Sequence, residues 1–291
     1  MQIIIPEGSG FCPGVIAAEK KLLKIRKENK GPIYISGMFI HNKEYEKYLN
    51  GFNIKKTENP FDLPEDSIFV IATHGIDRNI EANLEKRLKV FDLTCPKVKQ
   101  IQKLIAQNSD KTCVIIGKEG HPETTGLKSY ASSYILISSQ ENLYEPTILE
   151  KIKENRKIAL FSQTTSSLAL FNDSKIFFLK LKKEGKIEEV KIFSTICTSV
   201  QYREQKAIEV SRSCDVSIVL GDYLSSNSKR LYDNLKQKND EVYFIEKPDD
   251  LSKIINNIKD KNKVMLVSSA STPSFIEDSV KNMLIKLGSS G

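Results

Sequence analysis

Eleven short runs rich in β-branched and aromatic residues recur along the chain, at 2–5, 33–36, 68–73, 90–93, 112–117, 134–137, 157–162, 190–195, 216–221, 242–245 and 264–268. Helical patterns fit between them, for example at 16–27, 80–88, 98–107, 167–179, 200–213, 229–238 and 275–287. Strands of this length joined by helices pair in the same direction, because a parallel pair needs a crossover of a dozen or more residues and a helix supplies one. An α/β protein with mostly parallel sheets is therefore expected. The strands fall into three groups of about one hundred residues each, a usual size for a compact unit.

Composition narrows the class further. With 291 residues, 40% hydrophobic and 28% charged, the chain can bury a sizeable core. No apolar run approaches the ~18 residues that span a bilayer, and Glu7 interrupts the start before a signal peptide could form. A cytoplasmic protein with no membrane partner is expected. The net charge is +7, but only seven of the 44 basic residues are Arg, so the excess reads as a solvated lysine face rather than a nucleic-acid surface. A small anionic substrate fits that charge. Five cysteines, an odd number in a chain without an export signal, argue against a disulfide framework and leave metal binding or catalysis as their use.

Three of the five stand in similar settings. Cys12, Cys95 and Cys197 each fall at an expected strand-to-helix turn, where the positive end of a following helix favours a thiolate. Cys113 lies inside the apolar strand at 112–117 and Cys214 opens the one at 216–221, as small buried fillers do. Zinc modules bring ligands in close pairs, and the chain has no C-x-x-C. Three thiolates on one four-iron four-sulfur cluster would leave an iron open to a substrate oxygen.

All three histidines, His41, His74 and His121, fall in expected strand-end loops, where ligands of parallel α/β sheets bind. Imidazoles there can donate to phosphate oxygens. Thr164 to Ser166, Ser225 to Asn227, and Ser271 with Thr272 each precede a helix. Each alone would serve as an ordinary N-cap; together with the histidines they specify a multiply bonded anion. Glu123, two residues from His121, is the acid best placed to handle protons, provided burial raises its pKa.

The ordered set Gly10 to Val15, His41-Asn42, Thr73 to Gly75, Asp92 to Pro96, Gly120 to Glu123, Ser162 to Thr165, Thr195 to Cys197, Ser225 to Ser228 and Ala270 to Pro273 resembles the LytB (IspH) family of 4-hydroxy-3-methylbut-2-enyl diphosphate reductases over nearly the whole chain. The resemblance implies three similar α/β units in a trefoil around a central cavity, at 13–96, 97–192 and 193–287 with 1–12, leaving 288–291 as a tail. It implies a four-iron four-sulfur cluster with three ligands, Cys12, Cys95 and Cys197, and one open iron. It also implies diphosphate contacts from His41, His74, His121, Ser225, Ser226, Asn227 and Ser271, a substrate-hydroxyl contact from Thr164, and proton delivery by Glu123. The reaction implied is two-electron reductive dehydroxylation of an allylic diphosphate to isopentenyl and dimethylallyl diphosphate, with electrons from reduced ferredoxin or flavodoxin. A zinc-dependent phosphate-ester hydrolase and a cluster-bearing redox sensor are the competing readings.

Several positions depart from the family pattern. Ala17 stands where Arg is common, Gln100 and Gln102 where Lys and His are usual, and Val200 and Glu204 where Thr and Gln are usual. Ser269 and Ser274 also differ from the residues most often found there. None of these is an expected cluster ligand or diphosphate contact.

Overall fold

The computed structural model describes residues 1–289; Ser290 and Gly291, the end of the expected tail, lie outside the described residues. Twelve described strands form three four-stranded sheets. The first has the order β1 (Gln2–Ile4), β12 (Lys263–Ser268), β10 (Val216–Leu220), β11 (Val242–Ile245). The second runs β3 (Ile54–Thr57), β2 (Ile33–Ser36), β4 (Ile68–Ile71), β5 (Lys89–Asp92). The third runs β7 (Ser133–Ile137), β6 (Thr112–Ile116), β8 (Lys157–Ser162), β9 (Glu189–Ile192). The described pairings, such as Val114 opposite Leu160 and Ile218 opposite Leu266, are parallel, as expected from the sequence.

The helices are α1 (Pro13–Glu28), α2 (Lys43–Gly51), α3 (Arg78–Leu84), α4 (Pro96–Ala106), α5 (Pro122–Lys128), α6 (Pro146–Glu154), α7 (Leu168–Lys183), α8 (Thr198–Ser211), α9 (Ser226–Lys236), α10 (Leu251–Ile258) and α11 (Ser274–Ser289). Thus Gly288 and Ser289 close α11. None of the described helices is long and apolar enough to cross a membrane.

The chain forms two compact units. One comprises Met1–Lys30, Gly37–Lys56 and the chain from Thr198 onward; the other comprises Gly31–Ser36 and Thr57–Cys197. In the second unit, Val114, Ile116, Ile158 and Leu160 pack with Phe171 and Phe178 of α7, while Cys113, Ile115, Ala159 and Phe161 pack with Ile101 and Ile105 of α4 and Leu127 of α5. Alternate residues of one strand thus enter different cores. Helices cover both faces, which is why β6 and β8 read as unbroken apolar runs. Burying each such side chain contributes about 1.5–3 kcal/mol. The first unit repeats the plan, with Ile218, Leu220, Val264 and Leu266 in one core and Val219, Met265 and Val267 in another.

The strand orders share one topology. Counting strands along the chain, with β10 as first and β1 as fourth in their sheet, all three sheets read 2-1-3-4. The chain leaves the first strand toward one edge and returns to add the third on its other side, so a switch point lies between first and third strands. Loops at the carboxyl ends of those two strands border the crevice where ligands of open α/β sheets bind.

Candidate functional site

The sequence-selected residues follow this topology. His41, His121 and Ser225 to Asn227 come after the first strands β2, β6 and β10; His74, Thr164 and Ser271 come after the third strands β4, β8 and β12. Cys12, Cys95 and Cys197 follow the fourth strands β1, β5 and β9. Cys12 and Cys95 are the N-caps of α1 and α4, each with Pro next, and Cys197 immediately precedes α8. Proline at the first helical position loses only an N–H that has no helical partner, so the turn is set cheaply. Neither Cys12 nor Cys95 uses its side chain as a cap.

A backbone hydrogen bond joins each cysteine segment to its third-strand segment. Cys95 N–H donates to Thr73 O at 3.0 Å, Cys197 N–H to Thr164 O at 2.8 Å, and Gly10 N–H to Ser268 O at 3.1 Å. None of the three thiols is in a disulfide, and all three are partly exposed. Cys113 is buried, and burial pushes its thiol up to about 11; Cys214 is also raised, chiefly by burial. A soft metal centre requires thiolates. By donor chemistry and position, Cys12, Cys95 and Cys197 are each suited to be a metal ligand, whereas Cys113 is not.

Within the second unit, Glu123 and Thr164 form a closed pair. Glu123 is 3% exposed; its Oε1 accepts from Thr164 N–H at 2.6 Å and its Oε2 from Thr164 Oγ–H at 2.8 Å. Burial pushes the Glu123 carboxyl up to about 7, against the lowering effect of Thr164's two donors. It therefore holds an acidic proton close to neutral pH. His121 caps α5 by accepting Glu123 N–H on Nδ1 at 3.2 Å, which leaves Nε2 as its donor. The His74 and His121 rings lie edge to face, 5.6 Å between centroids. Gln163 accepts from Thr124 Oγ at 3.2 Å and from Lys118 N–H at 3.1 Å, fixing the loop that carries Thr164.

The turn before Cys95 is also fixed in this unit. Asp92 accepts from Thr94 N–H at 2.8 Å and pairs with Lys99 at 2.6 Å, and these contacts hold its carboxyl below its usual range despite the raising effect of burial. Gly75 has φ +80°, and a Cβ there would lie 2.8 Å from Gln102 Nε2. Gln102, one of the departures from the family pattern, is buried with no hydrogen-bond partner for Oε1.

In the first unit, hydroxyl groups line the starts of α9 and α11. Ser225 caps α9 by accepting Ser228 N–H at 3.3 Å, Ser271 donates to Ser225 at 3.2 Å, and Ser228 donates to Ser269 at 2.8 Å. Asn227, in the first turn of α9, is 6% exposed, and its Nδ2 has no hydrogen-bond partner. A buried donor without a partner is costly, so this corner suits an anion. His41 precedes Asn42, whose side chain caps α2 by accepting Tyr45 N–H at 2.9 Å. A Cβ on Gly221 would lie 2.5 Å from Ser228 Oγ and 2.7 Å from its Cβ. Gly221→Ala is accordingly expected to destabilise the fold by about 1–3 kcal/mol, read as a lower midpoint in denaturant; an unchanged midpoint would refute this crowding.

Sequence reasoning missed Arg203. This residue is 3% exposed, and its guanidinium donates to Gly8 O at 2.6 Å and Gly10 O at 2.8 Å, gripping the loop before Cys12. Cys12, Phe11, Tyr202 and Arg203 line one pocket of about 500 Å3. Two departures also acquire a physical setting: Val200 is buried on α8, and Glu204 forms a two-pronged pair with Arg230 of α9 at 2.8 and 2.9 Å. Burial still raises the Glu204 carboxyl against the pull of Arg230.

A family model described as LytB protein matches residues 3–285. A 4-hydroxy-3-methylbut-2-enyl diphosphate reductase of Helicobacter pylori (strain P12) is 33% identical over 98% of this chain and 99% of its own. The Campylobacter curvus (strain 525.92) protein of the same name is 33% identical over 98% and 100%. The solved structure of an (E)-4-hydroxy-3-methyl-but-2-enyl diphosphate reductase, described as the terminal enzyme of the non-mevalonate pathway, is similar with a TM-score of 0.73 and 28% identity, over 98% of this chain and 99% of that one. The Plasmodium falciparum E-1-hydroxy-2-methyl-but-2-enyl-4-diphosphate reductase gives 0.84 and 26%, over 97% and 87%.

Proposed function

The chain belongs to the LytB protein family, and from that membership we propose how its own residues divide the work of reducing an allylic diphosphate. It is an oxidoreductase that converts 4-hydroxy-3-methylbut-2-enyl diphosphate to isopentenyl and dimethylallyl diphosphate, the last step of the methylerythritol phosphate pathway. The comparisons lend no support to a zinc hydrolase or a redox sensor. The division into units 13–96, 97–192 and 193–287 with 1–12 is part of the proposal, supported by the 2-1-3-4 order of each sheet.

Cys12, Cys95 and Cys197 are assigned to a four-iron four-sulfur cluster, which when bound supplies single electrons and one iron open to the substrate. His41, His74, His121, Ser225, Ser226, Asn227 and Ser271 are assigned to the diphosphate. The partnerless Asn227 Nδ2 supports this, as does the His121 tautomer, which by accepting on Nδ1 carries its proton on Nε2. Thr164 positions the substrate hydroxyl, and Glu123 delivers a proton through it. The carbon–oxygen bond breaks, the oxygen leaves as water, and two electrons and two protons enter, one proton at oxygen and one at an allylic carbon. The second protonation occurs at either end of the allyl fragment and so yields two products. How the diphosphate is held sets the ratio.

The observation that carries these residue roles is the buried Glu123–Thr164 pair, bonded through Thr164's own carbonyl to the backbone of Cys197. We place the enzyme in the cytoplasm, with reduced ferredoxin or flavodoxin as electron donor. Protein purified without oxygen should be brown, with iron and acid-labile sulfide near four each per chain. It should reduce the hydroxylated diphosphate with an artificial electron donor; colourless protein holding one zinc would overturn the assignment.

A further inference from the structure

We propose that Asp222 is a positioning residue of the diphosphate pocket, one carboxylate that fixes two of its loops at once. Asp222 follows β10 and is 3% exposed. Its Oδ1 accepts from Leu224 N–H at 2.7 Å, and its backbone oxygen accepts from Ser225 N–H at 3.0 Å, so it shapes the turn into Ser225, Ser226 and Asn227. Its Oδ2 reaches a segment 179 positions away and accepts from Lys43 N–H at 3.0 Å. Lys43 is the first residue of α2, directly after His41 and Asn42.

The first N–H groups of a helix have no partner within it, so α2 needs an acceptor there. Asn42 satisfies Tyr45 N–H, and Asp222 satisfies Lys43 N–H. Each oxygen of the carboxylate thus holds a different loop. Burying a carboxylate is expensive unless hydrogen bonds compensate it, and here both oxygens are used. Asp222 lies outside every motif that carried the family resemblance. An acceptor serving only the local turn would need just the contact to Leu224; the contact to Lys43 links the His41 segment to the Ser225 segment.

The inference rests on assigning those loops to the diphosphate, and the experiment separates the two claims. Asp222→Asn and Asp222→Ala would be compared with wild type as anaerobic, cluster-loaded enzyme, with inorganic pyrophosphate as the probe. Loss of one charge-assisted bond predicts that KM for the substrate and the inhibition constant of pyrophosphate both rise by about ten-fold. The alanine variant should be affected more than the asparagine variant, whose amide keeps one acceptor oxygen. Turnover number and iron content should stay within about two-fold of wild type, because the residue acts on binding alone. Should the alanine variant fail to fold, the near-isosteric asparagine variant carries the test. Unchanged constants in Asp222→Asn, or a fall in turnover number with KM unchanged, would overturn the positioning role. A wild-type enzyme that pyrophosphate does not inhibit would overturn the diphosphate assignment, and this role with it.

Discussion

Replacing Glu123 by Gln is expected to lower turnover by about 10²- to 10⁴-fold, the usual range for losing a positioned general acid, while iron content and substrate KM stay near wild type. The amide keeps one oxygen to accept Thr164 N–H, so the loop has a reason to stay in place. It has no acidic proton to pass to Thr164 Oγ, which lies 2.8 Å from the carboxylate. A variant with normal turnover would remove Glu123 from the reaction; one that also lost its iron would point to a structural role. The pH dependence gives a second readout. With the carboxyl pushed up to about 7 by burial, the donor is protonated below that pH and ionised above it. Wild-type turnover should therefore fall as pH rises through about 7, and the Gln variant should lack that limb. Stability carries the same sign. The folded-state pKa lies above the unfolded one, so the stabilisation is complete below about 4.5 and is lost as pH rises through about 7. The thermal midpoint of wild type should decline relative to that of Glu123→Gln over this window.

Cys95→Ser should leave the protein folded but depleted of iron, to below about half of the four irons expected per chain, with activity reduced in at least that proportion. Serine can still precede Pro96 at the start of α4, so loss of secondary structure is not expected. Cys113→Ser provides the contrast. That thiol is fully buried among Ile115, Leu127 and Phe161, away from any strand-end turn. Its replacement should cost about 1–3 kcal/mol of stability by burying a hydroxyl, with iron per folded chain unchanged. Iron analysis with circular dichroism on both variants decides the matter; equal depletion in the two would remove the distinction between the cysteines.

The strands of this protein are legible because parallel strands covered on both faces must be apolar throughout, as in Cys113 to Ile116 and Val264 to Val267. β3 escaped notice because Lys55 and Lys56 interrupt it, and an edge strand tolerates such charges. α2, α5, α6 and α10, of 7–9 residues each, span about two turns and so offer few apolar positions from which to read a helical period. In α5, Gly126 lowers the helical signal, yet a Cβ there would sit 3.2 Å from Ile76 O. The tertiary packing requires what local propensity disfavours.

For the site, residue type and turn context in the sequence picked out Cys12, Cys95 and Cys197 from the other cysteines, and placed His41, His74, His121, Glu123, Thr164, Ser225 and Ser271 in strand-end loops. These signals are local: a thiol before a helix or a hydroxyl at an N-cap is set by its immediate neighbours. Only the tertiary structure decided the 2-1-3-4 strand order, the hold of Arg203 on the loop before Cys12, the pairing of Glu204 with Arg230, and the reach of Asp222 to Lys43. It also decided the protonation of Glu123, because burial and the donors of a threonine 41 residues away govern that carboxyl. Sequence periodicity records which face of an element is apolar, but not which distant backbone group that face will meet; hydrogen bonds and desolvation depend on the second.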